Sequence, residues 1–214
     1  LKEMNDIYKK YGKAKKLILI GCADHYVRLI VENKAELKDK FILPYTDKEV
    51  LDNIVLKETF YELCEKYNLD YAKTFIYKPE MNFEFDLKDM LFPVVLKASD
   101  SVKFHRNKFE GFHKAYFIDT KEELVDTLKL IYKNGYDDNM IIQEKVPGED
   151  AAMYDLQIYV GSDHKVKMMN LGNVVLEEHT PTAIGNNAAT ITMSDYNEEL
   201  MKKIQFLMED IGYE

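Results

Sequence analysis

The chain has 214 residues, 46% of them hydrophobic and 31% charged, with a formal net charge of −9. That length suffices for one large or two small domains with a real core, and the acidic balance argues against a nucleic-acid partner. No apolar run approaches the roughly 18 residues of a membrane span and no secretory leader is visible; with only Cys22 and Cys64, and no CxxC spacing, the chain reads as cytoplasmic, with reduced thiols and no membrane partner.

The apolar run Lys16–Ile20 (KLILI), closed by Gly21, predicts a buried parallel strand. Tyr26–Asn33 has helical spacing and Phe41–Pro44 (FILP) predicts a second strand, so the start reads as a βαβ unit or the tail of a nucleotide-type open sheet. No GxGxxG is present, which disfavours a dinucleotide site. Asp47 is placed to cap a helix whose apolar face is Val50, Leu51 and Ile54. A second helix is predicted over 56–67, with Phe60, Leu63 and Cys64 inward. Lys73–Tyr77 and Phe92–Lys97 (FPVVLK) predict strands, Ser99–Phe112 a polar, basic loop, and Tyr116–Ile118 a short strand. Lys103, Arg106 and Lys108 repel one another in that loop, so it is expected to be mobile until an anion arrives.

Thr120-Lys121-Glu122-Glu123 is a capping box ahead of Leu124, Leu128 and Ile131. Met140–Val146 (MIIQEKV) predicts a strand that turns at Pro147-Gly148. Met153–Val160 and Val166–Leu176 pair as a hairpin across Gly161–His164. Pro181–Ala189 reads as loop and Glu198–Ile211 as a last amphipathic helix. The chain starts at Leu1 and stops after a helix and a glycine, where an α/β protein ordinarily runs on into a strand. Both ends suggest a segment of a longer chain.

The chemistry gathers around Lys97, a lysine ending an apolar strand at the boundary of core and cleft. Such a lysine is costly unless it snorkels or meets an anion, and strand-end lysines are ordinarily solvated. The loop beyond it offers Ser99, Ser101, Lys103, His105, Arg106, Lys108 and Gly111, a set suited to phosphate oxygens or simply to a solvated surface. About thirty residues on, IIQEKVPGED delivers Gln143, Glu144, Lys145 and Val146 to a Pro-Gly turn, then Glu149. A strand leading into such a hinge exposes one N–H and one C=O that can pair with an adenine edge. A carboxylate just beyond can accept from both ribose hydroxyls.

FPVVLK, a loop, a capped helix and IIQEKVPGED, in that order, are similar to the nucleotide-binding half of the ATP-grasp superfamily. The upstream LDNIVLKETFYELCEKYNLDYAKTF resembles that superfamily's lead-in helix, with Lys57 as its phosphate-side lysine. The long basic loop and Glu110-Gly111-Phe112 look most like carboxylate–amine ligases of the D-aspartate ligase type. The fold this implies is α/β with α+β lobes: an ATP-grasp fragment preceded by the tail of a Rossmann-like open sheet. Its expected parts are a partial leading domain over 1–55, a linker helix with a small lobe over 56–142, and a hinge with an incomplete second lobe over 143–214.

The same resemblance implies ATP as the bound nucleotide. Lys57 and Lys97 would hold the α- and β-phosphates. The Ser99–Gly111 loop, with Ser99 and Ser101, would close over the γ-phosphate. At the hinge Glu144 and Val146 would meet adenine, chiefly through backbone groups, with Gln143 and Lys145 also in the nucleotide site, and Glu149 would bind ribose. The superfamily forms an acyl-phosphate from a small-molecule carboxylate and lets an amine displace the phosphate. Its Mg²⁺-binding acids and an Asn lie on strands beyond the last helix seen here, so Mg²⁺ is expected only in a longer enzyme, and no catalytic residue is singled out. A non-catalytic nucleotide-binding module on the same fold stays open as the alternative.

Other tempting groups have plain readings. Glu177, Glu178 and His179 are consecutive and alternate faces of a strand, so they cannot all converge on a metal. His25, His113 and His164 stand alone, as surface or packing groups. Asn186 and Asn187 sit where an acceptor-side loop would lie, as substrate contacts or as ordinary loop.

Overall fold

The computed structural model describes all 214 residues. The N-terminal part is helical: α1 (Lys2–Tyr11), α2 (Asp24–Glu32), α3 (Lys34–Leu37), α4 (Lys48–Val55) and α5 (Lys57–Lys66). Between these helices KLILI meets FILP in parallel, but only through a single bridge, Ile18 to Ile42. Its hydrogen bonds are Leu19 N–H to Ile42 C=O (3.0 Å) and Ile42 N–H to Leu17 C=O (2.8 Å). Leu17 and Leu19 pack on the small cluster of Ile30, Leu37 and Phe41, whereas Ile18 and Ile20 are 61% and 66% exposed. The segment is therefore not a buried strand. Alternating side chains point to opposite faces, and only one face is covered.

Asp47 stands at the N-cap position of α4 but does not cap it; its carboxylate accepts from Lys34 Nζ at 2.8 Å. In α5 the side turned inward is marked by buried Cys64, while Phe60 stays 36% exposed.

The first sheet is antiparallel, in the order β1-β4-β2-β3, from β1 (Thr74–Tyr77), β2 (Val94–Ala98), β3 (Ala115–Ile118) and β4 (Met140–Glu144). Along β2 the pleat buries Val94, Leu96 and Ala98 on one face and leaves Val95 and Lys97 on the other. The buried face packs against α7 (Lys121–Lys133), whose Leu124, Leu128 and Ile131 are each 0% exposed. Burying such a side chain fully stabilises by about 1.5–3 kcal/mol. Thr120 caps α7 as predicted, but the Glu123 carboxylate reaches the residue before the N-cap rather than the Thr120 N–H of a full capping box. Thr120 Oγ1 accepts from Glu123 N–H (3.2 Å), and the Glu123 carboxylate accepts from Asp119 N–H (3.0 Å).

The stretch predicted as a basic loop contains a helix, α6 (Ser101–Arg106). Asp100 starts it by accepting from Val102 N–H (2.9 Å) and Lys103 N–H (3.0 Å). Phe104, 1% exposed, anchors it against Phe112 and Tyr136, with ring centroids 4.7 and 5.0 Å away. Lys103 faces Asp137 (2.9 Å) and Asp138 (3.1 Å) rather than its cationic neighbours. The density of charge hid both the capping acid and the apolar anchor.

Beyond the hinge, β5 (Tyr154–Val160), β6 (Val166–Glu177) and β7 (Asn187–Thr192) form a second antiparallel sheet. The hairpin is as predicted. The third strand is new, because Asn187–Ala189 had read as loop; its short side chains are all exposed and its ladder to β6 is irregular. The last helix, α8 (Glu198–Asp210), is capped by Asn197 and turns Leu207 inward. It meets α5 where Tyr67 Oη donates to the Asp210 carboxylate (2.5 Å) and Tyr67 packs edge-on to Phe206.

Candidate active site in the cleft between the two sheets

A cleft of about 600 Å³ runs between the first sheet, the start of α5 and the second sheet. Lys97 enters it because β2 turns odd-numbered side chains away from the α7 core. Its Nζ donates to Gln143 Oε1 at 2.8 Å on neighbouring β4. The Gln143 amide nitrogen is in turn held near Thr74 Oγ1 (2.7 Å), Tyr61 Oη (3.0 Å) and Ala72 C=O (3.3 Å). Lys57, first residue of α5, reaches Ser99 C=O at 3.5 Å. Lys114, just before β3, donates to Asn186 Oδ1 at 2.7 Å.

These partners are neutral oxygens. Burial, and then the charge of Lys57, push the Lys97 pKa down to about 8. Burial and the charge of Lys114 likewise push Lys57 down. Gathering partly desolvated ammonium groups around neutral acceptors is unfavourable in itself. A polyanion relieves that cost by supplying charge-assisted hydrogen bonds.

Of the sequence-predicted residues, Lys57, Lys97, Ser101, Gln143, Glu144, Lys145, Val146 and Glu149 all line this cleft. Ser99 does not. It is 5% exposed, its N–H donates to Asn139 C=O (3.1 Å), and its carbonyl is what faces Lys57. The side chain of Gln143 is taken up in orienting Lys97, and the Glu144 carboxylate accepts from Leu91 N–H at 2.9 Å. At the hinge, Lys145 N–H donates to Pro93 C=O (3.2 Å), while Lys145 C=O and Val146 N–H have no backbone partner. These two groups belong to one trans peptide unit and point in opposite directions, so a ligand edge on one side of the hinge can meet only one of them. Glu149 is exposed on the cleft wall.

On the opposite wall Asp150 accepts from Glu177 N–H (3.1 Å) and from His179 Nε2 (3.2 Å), which hold its carboxyl below the usual range. Glu177, at the end of β6, and His179, just beyond it, line the cleft, and Glu178 does not. No three His, Cys, Asp or Glu side chains come together as a metal cluster.

A second cleft of about 560 Å³ adjoins the first through Ser101, His105 and Lys114. Asp24 and His25 from the start of α2, Arg106 at the end of α6, Lys108 just beyond it, and Thr182 and Asn186 complete its wall. His25 therefore does not stand alone, and Asn186 does face a cleft. His113 instead packs against Tyr116, and His164 bonds Tyr213 C=O. Lys114 is the residue that sequence reasoning missed. The signal for Lys114 was present, a lysine directly ahead of the strand AYFI, mirroring Lys97 at the end of VVLK.

No established protein-family profile matches the sequence. The chain is 43% identical over 204 residues to a D-aspartate ligase of Enterococcus faecium (strain Aus0004), a match covering 94% of this chain and 48% of that protein. The chain thus spans about half the length of that curated relative. Among solved structures it is similar to the biotin carboxylase domain of the Hydrogenobacter thermophilus 2-oxoglutarate carboxylase in complex with MgADP. That match has a TM-score of 0.67 and 13% identity, over 99% of this chain and 46% of that one. It is also similar to a D-alanine–D-alanine ligase from Bacillus anthracis complexed with ATP, with a TM-score of 0.57 and 15% identity, over 99% of this chain and 64% of that one. The chain has the ATP-grasp fold. In this ATP-grasp chain the two sheets are the walls of the cleft and 145–149 is the strip of backbone that joins them. The leading open sheet expected from the sequence comes down to the single Ile18–Ile42 bridge. No helix is long and apolar enough to cross a membrane.

Proposed function

We propose that the chain binds ATP in the first cleft, as the nucleotide-binding part of an ATP-dependent carboxylate–amine ligase of the D-aspartate ligase type. The observation that carries this reading is the polarity of the cleft. Lys57, Lys97 and Lys114, held by neutral oxygens, mark one end, and the hinge, with its unpartnered Val146 N–H, marks the other. A triphosphate fits the lysine end and an adenine edge the hinge, with Glu149 between them for the ribose. The 43% identity to a D-aspartate ligase supports the reaction type.

On this reading Lys57 and Lys97 neutralise the phosphates, and Ser101 at the start of α6 faces the γ-phosphoryl group. The second cleft, with Arg106, Lys108 and His25, takes the acidic substrate, for which D-aspartate is the first candidate. Lys114 stands at the junction, where charge moves from nucleotide to substrate. The substrate carboxylate takes the γ-phosphoryl group as an acyl-phosphate, ADP is released, and an amine then displaces phosphate to leave an amide. Mg²⁺ would supply charge neutralisation in such transfers.

Calorimetry with ATP and adenosine tests the nucleotide part. ATP is expected to bind at least tenfold tighter than adenosine, since about 1.4 kcal/mol corresponds to tenfold. Binding of neither overturns the reading. The ligase part is tested on the complete protein by ADP release that depends on D-aspartate and an amine. Nucleotide binding without such turnover would favour a non-catalytic module instead.

A further inference from the structure

We propose that Arg28 is a positioning residue for the nucleotide site: through Asp100 it fixes α6, the wall that the two clefts share. Arg28 lies on α2, in the N-terminal part of the chain, and its guanidinium donates to Asp100 Oδ2 at 2.8 Å across 72 positions of sequence. Both side chains are largely out of water, 19% and 16% exposed. The other carboxylate oxygen of Asp100 accepts from the Val102 and Lys103 N–H groups. One carboxylate therefore serves two partners, and removing either leaves a buried charge short of its counterpart.

The consequences reach the cleft because of what flanks Asp100. Ser99, before it, presents its carbonyl to Lys57, and Ser101, after it, lines both clefts. With six residues, α6 is too short to be stable by propensity alone. It is held from outside, by Phe104 in the core and by Arg28 at its start. The same helix α2 places Asp24 and His25, one turn before Arg28, on the second cleft. The ion pair thus ties one wall of the second cleft to the phosphate end of the first.

The proposal rests on the nucleotide reading above, and its test separates the two. Hydrogen exchange of residues 101–106 is measured in the 214-residue chain for wild type, Arg28→Met, Arg28→Lys and Asp100→Asn. Asparagine still caps a helix but cannot form the ion pair. Kd is measured in parallel for ATP and for adenosine. In Arg28→Met and Asp100→Asn, exchange in 101–106 is expected to rise about tenfold and ATP affinity to fall about tenfold, the scale of one charge-assisted hydrogen bond. Adenosine affinity stays within about twofold, because the hinge is untouched. Arg28→Lys recovers most of the ATP affinity. Equal losses for ATP and adenosine, unchanged exchange in 101–106, or no recovery with lysine would overturn the proposal. Should wild type bind no ATP, the nucleotide reading falls, and the exchange data alone decide whether Arg28 holds α6.

Discussion

Lys97 is a single side chain that weakens the fold and that, on the proposed reading, serves a ligand. Its pKa in the folded chain, about 8, lies below the ordinary lysine value of 10.5. As pH rises the folded state therefore loses this proton before the unfolded state does. Its destabilising contribution is fully present below pH 8 and is relieved between about pH 8 and 10.5. Lys97→Met should accordingly raise stability at pH 7 by on the order of 1–2 kcal/mol, less than the shift alone implies because Gln143 loses its donor. Urea unfolding at pH 7 and pH 10 checks this; the gain should shrink at the higher pH. Nucleotide binding responds with the opposite sign, because phosphate selects the charged form. ATP affinity should fall as pH rises through about 8, and Lys97→Met should weaken ATP by about tenfold while leaving adenosine nearly unchanged. Glu149→Ala, at the proposed ribose position, should weaken both ligands alike. Calorimetry with the two ligands reads both substitutions.

Among the elements, α4 and α7 carry acceptor residues at their starts that look alike in sequence and behave differently. Thr120 caps α7 through its hydroxyl, with Glu123 closing back on Asp119 N–H, and α7 covers the main core with three fully buried side chains. Thr120→Ala should cost about 1 kcal/mol, and Leu128→Ala about 2–5 kcal/mol as a cavity opens beneath the first sheet. Asp47, by contrast, is itself 79% exposed and bonds the Lys34 amine, not the first turn of α4. An exposed pair of this kind is worth little, so Asp47→Ala should stay within about 0.5 kcal/mol of wild type. Chemical denaturation of the three variants tests the ordering. Equal losses for Thr120→Ala and Asp47→Ala would mean that the capping geometry at Thr120 does not hold in solution.

At the scale of the molecule, the cleft is made by elements from both sheets and from the N-terminal helices, so a ligand filling it bridges all three. A ligand that binds only the folded state stabilises by about 2.7 kcal/mol at one hundred times its Kd. ATP should therefore raise Tm in a concentration-dependent way, and adenosine should do so less. Lys97→Met should reverse the order seen without ligand, starting with the higher Tm and gaining less from ATP. Thermal unfolding at several ATP concentrations measures both effects. Increasing salt should reduce the difference between ATP and adenosine, because exposed charge interactions are screened.

The sequence by itself determined most of the local structure and the order of the site. Strand periodicity placed β1 to β6, the capping box placed α7, and the run from VVLK to QEKVPGED put two lysines, a hinge and an acid in register, because these features are carried by neighbouring residues. What the tertiary structure decided depends on distant ones. The capping role of Asp47 was lost to Lys34, thirteen positions earlier. Ser99 turned into the interior because its N–H pairs with Asn139, forty positions on. The helix inside 101–106 depends on core packing at Phe104, on Asp100 and on Arg28 from another part of the chain. Lys114 joined Lys57 and Lys97 only because β3 lies beside β2. Periodicity and capping report what a segment can do alone, whereas the meeting of three lysines and the pairing of a buried arginine arise when separated segments are folded against one another.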